Sequence, residues 1–199
     1  VQRLPDVTDA PTFWGLLGSF SGDLAFDVGA NIGQAARVLA PRFARVVSFE
    51  PCEESVSVLE AEKPANVEVW PVAVSSVAGE VELDECASSI RTGQLTTGTG
   101  LGWGPIVGSR LVPSTTLDEA VAHMGVPDLV KVDTEGHEVQ VLEGGPGLIG
   151  ERRSVLLIEV HDQLNEAPIR RLLDGWRVER IGHDYLPGEP DHFYLRCEP

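Results

Sequence analysis

The chain has 199 residues, 42% of them hydrophobic, and a formal net charge of −16 at pH 7. That length suits one well-cored α/β domain over 1–199 and not comfortably two, and no apolar run approaches the ~20 residues of a membrane span. The acidic balance argues against nucleic acid or an anionic membrane surface as a partner, because phosphate binding needs clustered Lys and Arg.

Cys52, Cys86 and Cys197 have no framework spacing, which fits a reducing, cytoplasmic setting. Val1 to Ala10 has no apolar signal-peptide core. The start at Val1 in place of Met is read as a trimmed leader or tag. Repeats, low-complexity segments and linkers are absent from the sequence.

In chain order, residues 11–22 carry Phe13, Trp14, Leu16, Leu17 and Phe20 and predict a short amphipathic helix. Segment 1–22 is either a lid over the site or a packing element. The first strand is Leu24 to Val28. It runs into Asp27-Val28-Gly29-Ala30-Asn31-Ile32-Gly33-Gln34, an acid followed by a glycine-rich turn and a helix over 33–40. Gly29 and Gly33 allow a sharp turn and close approach to a ligand. A dinucleotide fingerprint wants glycines where Asn31 and Gln34 stand, so a nicotinamide dehydrogenase is disfavoured. The second strand, Arg45 to Phe49, ends in Glu50, 17 residues past Gly33. An acid there accepts hydrogen bonds from ribose hydroxyls. Loop and acid together imply S-adenosyl-L-methionine.

A second helix over Glu53 to Ala61 is stopped by Pro64, and Val67 to Pro71 is the third strand. Val72-Ala73-Val74 offers small apolar residues to a flat adenine. Val81-Glu82-Leu83 reads as a short extra strand. Cys86 to Arg110 has no regular pattern and is expected to be a substrate loop. Ser114 or Thr115 is expected to cap a helix over Thr116 to His123. Strand four is Leu129 to Asp133, followed by a helix over His137 to Glu143 that ends at Gly144-Gly145. Strand five is Val155 to Val160, with a helix over Ala167 to Leu173. Trp176 to Ile181 and His192 to Arg196 make an antiparallel hairpin. The sum is a doubly wound α/β sheet of seven main strands, mostly parallel.

Ligands in such sheets bind outside the carboxyl ends of the strands. Asp27, Glu50, Asp133, Glu135, His137, Glu159 and His161 all fall there. Lys131 and Asp133 share a strand face, and a buried lysine needs a carboxylate partner. For methyl transfer to a hydroxyl, the nucleophile must be held about 3 Å from the methyl carbon and must lose its proton. A histidine base, worth about 10²–10⁴-fold, is one device, and His137 and His161 are its candidates. Mg²⁺ held by Asp133 and Glu159 is the other.

Phe26 to Gln34, Phe49-Glu50-Pro51, Thr116-Leu117-Asp118, and Asp128 to Glu138 with Val141 to Gly145 resemble the FkbM-type S-adenosylmethionine-dependent methyltransferases. The match runs from about Leu24 to Glu159. The resemblance implies a class I methyltransferase (Rossmann-like) fold and O-methylation of small molecules, often sugars or polyketide-type products. It carries cofactor roles onto Asp27, Gly29, Asn31, Gly33 and Glu50, and a pocket role onto Asp133, Glu135 and Glu138. Pro51 and Ala73 join the cofactor set as neighbours of the adenosine. His137 stands where a small or apolar residue is common, and the resemblance assigns no base.

The leading expectation is therefore an O-methyltransferase of a saccharide or related small-molecule acceptor. Two alternatives remain open: a non-catalytic S-adenosylmethionine-binding module, and an N-methyltransferase of a small amine, whose cation an acidic rim would suit. Homo-oligomerisation is also left open, with Trp103 or Tyr185 as its markers.

Overall fold

A computed structural model describes residues 13–86, 93–95, 106–181 and 193–199. The chain opens with α1 (Phe13–Leu17) and β1 (Gly22–Val28), then α2 (Gln34–Leu39), β2 (Phe43–Phe49), α3 (Glu53–Glu62) and β3 (Val67–Trp70). Next come β4 (Ala73–Val74), β5 (Gly79–Cys86), β6 (Gly93–Leu95) and β7 (Ile106–Thr115). The second half holds α4 (Leu117–Met124), β8 (Leu129–Val132), α5 (Glu138–Glu143), α6 (Pro146–Glu151), β9 (Val155–Val160), α7 (Glu166–Leu172), β10 (Arg177–Ile181) and β11 (Phe193–Glu198).

The main sheet has seven strands in the order β10-β11-β9-β8-β1-β2-β3. The five strands from β9 to β3 run parallel, and β11 is antiparallel to both β9 and β10. All seven expected strands are present. Their near-continuous apolar runs fit strands covered on both faces.

Period-two alternation sorts the side chains into two layers. Phe26, Val28, Val47, Phe49, Val130, Val132, Ile158 and Leu195 pack beneath residues of α4 to α7. Ala25, Val46, Leu129, Leu157 and Tyr194 pack beneath α1 and α2 on the other face. Phe13 stacks on Tyr194 with ring centroids 4.4 Å apart. The described part of the N-terminal segment is thus packed against the sheet. Toward the carboxyl ends of the second face the residues turn polar, and Asp27, Lys131 and Glu159 emerge there.

Two acids, Asp128 and Asp118, brace backbone. Asp128 Oδ2 accepts from the N–H groups of Asp23 and Leu24 at 2.7 and 3.1 Å. Asp118 accepts from Gly147 and Leu148 at 2.8 and 2.9 Å, which satisfies the free N–H groups opening α6.

Three expectations need correction, and one element is new. Val81 to Leu83 is not an isolated piece but the middle of β5, in a second sheet ordered β4-β7-β5-β6. That sheet is closed by the small cluster Ala73, Leu83 and Val112. The Cys86 to Arg110 stretch is strand wherever it is described, at 86, 93–95 and 106–110; the rest of it, with Trp103, lies outside the described residues, as do His183, Tyr185 and His192. The cap of α4 is Thr116, whose Oγ1 accepts from Glu119 N–H at 3.1 Å, and not Ser114 or Thr115. Ser114 Oγ bonds Val77 O and Thr115 Oγ1 bonds Glu119 Oε2. Finally, α6 was unexpected: Pro146 stands at its start, where a missing N–H costs nothing.

Candidate active site

The loop after β1 is built on left-handed turns. Gly29, Asn31 and Gly33 have φ of 74°, 50° and 85°. A Cβ on Gly29 would lie 1.8 Å from Asp133 O, and one on Gly33 would lie 2.2 Å from Leu59 Cδ1. Neither position accepts a side chain. The N–H groups of Gly29 and Ala30 both donate to Phe49 O at 3.1 Å, tying the loop to the end of β2.

Glu50 completes this tie. Its Oε2 accepts from Asn31 N–H at 2.8 Å and its Oε1 from Cys52 N–H at 2.9 Å. Burial pushes its pKa up to about 7, against the pull of those two N–H groups. Each oxygen keeps a lone pair for a further donor. Pro51 follows at the surface of the same corner, half-buried. Ala73 is buried in the second sheet's own core, so its methyl already has partners.

The loop after β8 lies directly against the first. Asp133 N–H donates to Val28 O at 3.1 Å. Beneath both loops sits Lys131, in register with Asp27 on the neighbouring strand. Its Nζ lies 3.0 Å from Asp27 Oδ1 and 3.2 Å from Asp133 Oδ2, and it donates to Gly29 O at 2.8 Å. Burial alone would lower the lysine pKa, but the charges of Asp133 and Asp27 outweigh it and hold the ammonium form. Asp27 is wholly buried. Its link to the first loop runs through Lys131, which touches both Asp27 and Gly29 O.

Asp133 turns its other oxygen outward. Oδ1 lies 3.6 Å from His161 Nε2. Glu135 Oε2 and Glu159 Oε1 lie 3.4 and 3.7 Å from the same nitrogen. Glu135 has φ of 53°, a left-handed conformation that costs a non-glycine residue about 1 kcal/mol or more. Asp133, Glu159 and His161 each offer a donor atom within 4.8 Å of the others.

The far side of the His161 ring is fixed from below. Nδ1 lies 3.0 Å from Glu138 Oε1, which also accepts from Gly136 N–H at 2.8 Å. Glu138 Oε2 accepts from Asn165 Nδ2 at 3.1 Å. Glu138 is wholly buried. Burial would lower the His161 pKa, but Glu138, Glu135 and Asp133 reverse this and push it up to about 10. At neutral pH His161 is an imidazolium, which removes the free nitrogen a base needs.

His137 has the opposite environment. Burial pulls its pKa down to about 4, only partly opposed by Glu138. Its Nε2 is 2.9 Å from Ser75 Oγ, and its Nδ1 is buried with no hydrogen-bond partner among the described residues. It is neutral at physiological pH.

The sequence-selected residues thus fall into two abutting groups. Gly29, Asn31, Gly33, Glu50 and Pro51 form the first; Asp133, Glu135, Glu159 and His161 form the second. Asp27 and Glu138 lie beneath them, and Ala73 sits in the adjoining sheet. Ser75 and Asn165 were not foreseen. Each is a single polar residue with no motif around it, and only the folded chain brings it to its partner.

The strand order, the single reversed strand β11 and the two abutting loops define a class I methyltransferase fold. A family model described as the methyltransferase FkbM domain matches residues 27–183. The chain belongs to that family. The hexuronic acid methyltransferase AglP of Haloferax volcanii is 27% identical over 155 residues, covering 76% of this chain and 61% of AglP. Methyltransferase FkbM from Methylobacillus flagellatus superposes with a TM-score of 0.63 at 17% identity, covering 89% of this chain and 44% of that one. An rRNA methylase from Streptococcus thermophilus gives 0.55 at 11% identity, covering 93% and 92%. The chain thus spans about three-fifths of AglP and under half of the first of these structures. Among the described residues no helix is long and apolar enough to cross a membrane.

Proposed function

We propose that this chain is an S-adenosyl-L-methionine-dependent O-methyltransferase acting on a hydroxyl of a saccharide. One observation carries the reading: the loop that suits S-adenosylmethionine and the acid-rich rim are locked together through Lys131, which touches Gly29, Asp27 and Asp133 at once. Family membership supports the reaction class, and the similarity to AglP, a hexuronic acid methyltransferase, supports a sugar acceptor.

S-adenosylmethionine supplies an electrophilic methyl group when bound. The residues of this chain do the rest. Glu50 keeps one lone pair per oxygen for the two ribose hydroxyls. The left-handed turn at Gly29, Asn31 and Gly33 presents backbone to the amino acid end, with Pro51 and the Ala73 backbone toward adenine. Asp133 and Glu159 orient the acceptor hydroxyl, and holding it in line accounts for most of the rate gain. Of the two histidines His137 is the neutral one, and it is the candidate to take the proton, though a pKa of about 4 makes it a weak base. A divalent cation on Asp133 and Glu159 would lower the pKa of the hydroxyl.

Residues 1–199 are read as one methyltransferase domain, with the 86–110 segment as the part that meets the acceptor. The working setting is taken as cytoplasmic, with a small-molecule acceptor and no nucleic acid.

The test is methyl transfer from labelled S-adenosylmethionine to a panel of hexuronic acids, other saccharides and small amines. O-methylated sugar, lost in Asp133→Asn, supports the reading. Product on amines alone moves the reaction to N-methylation, and cofactor binding with no product from any acceptor favours a non-catalytic binding module.

A further inference from the structure

We propose that Asp133, Glu159 and His161 form a divalent metal site of mixed oxygen and nitrogen donors, selective for a first-row transition ion such as Mn²⁺ over Mg²⁺. Glu138 fixes the ring of the histidine ligand. The proposal rests on the rim being the acceptor half of the site.

The geometry is that of a site built for one ion. The donors come from the end of β8, the penultimate residue of β9 and the residue just after β9, all rigid positions. Asp133 is already oriented: Lys131 holds Oδ2, which leaves Oδ1 facing His161. Nε2 stands 3.6 Å from Asp133 Oδ1 and 3.7 Å from Glu159 Oε1. Two ligands bound at about 2.1 Å to one ion stand roughly 3.0–3.4 Å apart, so these two pairs need only a small contraction, and all three donor atoms lie within 4.8 Å of one another. Glu135 Oε2 lies 3.4 Å from the same nitrogen.

The histidine separates this from an ordinary carboxylate cluster. Metal-ligating histidines give their other ring N–H to a carboxylate or carbonyl, which fixes the tautomer and the ring plane. Here Nδ1 meets Glu138, and Glu138 is wholly buried and anchored by Gly136 N–H and Asn165. That arrangement leaves Nε2 as the ligand atom. An ion pair at a pocket rim has no need of a buried, triply bonded carboxylate behind it.

Among the described residues Asp27, Asp133, Glu135, Glu138 and Glu159 gather around Lys131 and His161, a carboxylate-rich surround of the kind a divalent cation takes. When it binds, the Nε2–H bond breaks, the Nε2–metal bond forms and the proton leaves to solvent. The donor set decides which ion. Mg²⁺ favours an all-oxygen shell and keeps several waters, whereas imidazole nitrogen suits later divalent ions.

The test uses the whole chain, stripped with chelator, titrated calorimetrically with Mn²⁺ alone and with Mg²⁺ alone. One Mn²⁺ per chain is expected, bound at least tenfold more tightly than Mg²⁺. His161→Gln should weaken Mn²⁺ at least tenfold, and Glu138→Gln by about 10–100-fold. Pulsed electron paramagnetic resonance of the Mn²⁺-loaded chain should show coupling to a ring nitrogen; this readout needs no variant, and so stands even if a substitution prevents folding. Absence of Mn²⁺ binding, equal affinity for Mg²⁺, or bound Mn²⁺ without nitrogen coupling overturns the site. Titration of the same sample with S-adenosylhomocysteine separates the two claims: Mn²⁺ without S-adenosylhomocysteine binding defeats the methyltransferase reading alone, and the reverse defeats the metal site alone.

Discussion

The two halves of the site are held together by different physics. The half after β1 and β2 is closed by backbone: glycines that admit no side chain, paired N–H donors on Phe49 O, and Glu50 clamped by two more N–H groups. The half after β8 and β9 is closed by side-chain charge, with four carboxylates drawn around His161. The first is a shape that the chain makes locally. The second exists only once residues far apart in sequence have met. A backbone-built half suits a ligand whose shape never varies, and a charge-built half can be retuned by a single substitution.

The largest effect should come from breaking the link between them. Lys131→Met leaves Asp27 buried without its cation, and loss of one partner of a buried pair costs about 3–5 kcal/mol. Urea unfolding measures it directly. Gly29→Ala should follow at about 2–4 kcal/mol, since the new methyl meets Asp133 O in a left-handed backbone. Gly150→Ala is its control. Open space surrounds Gly150, and alanine there should stabilise α6 by up to about 1 kcal/mol.

The two histidines sharpen the comparison through pH. His161 has a folded pKa of about 10, above its unfolded value of about 6.5. Its contribution is full below pH 6.5 and is lost as pH rises toward 10. His137 has a folded pKa of about 4, so the unfolded chain binds its proton more readily between pH 6.5 and 4. Stability from that residue falls as pH falls through this window. In metal-free protein, His161→Gln should flatten the alkaline limb of a melting-temperature profile and His137→Gln the acid limb. The same limb changing in both variants would refute the assignment. Smallest of all, Thr116→Ala removes the cap of α4 and should cost about 1 kcal/mol by thermal melting.

The same division explains what could be read from the sequence. The main sheet was legible because each parallel strand is an apolar run with its own turn signal. The glycine loop and Glu50 were legible because their partners lie within one β-α-β unit. Glu159 and His161 followed from period two along a single strand. The second sheet was missed because Gly108, Ser109, Arg110 and Pro113 interrupt any alternation over 106–115, and only its pairing with β5 makes it a strand. Gly144-Gly145 marks the end of one helix, and the Pro146 that follows opens another. Glu138 looks like any acid in a first helical turn until His161 and Asn165 are folded onto it. Ser75 carries no local signal at all, since its role depends on His137 arriving from 62 residues away. His137 and His161 were equal candidates for a base, and burial against carboxylates, which no sequence pattern records, is what separates them.

The measurement that bears most directly on the account is calorimetric titration of the chain with S-adenosylhomocysteine, alongside Glu50→Ala. The account predicts micromolar binding at one site per chain, weakened at least tenfold in the variant by loss of the ribose acceptor and of the brace on Asn31. No heat of binding at any concentration, or binding that Glu50→Ala leaves untouched, would contradict it.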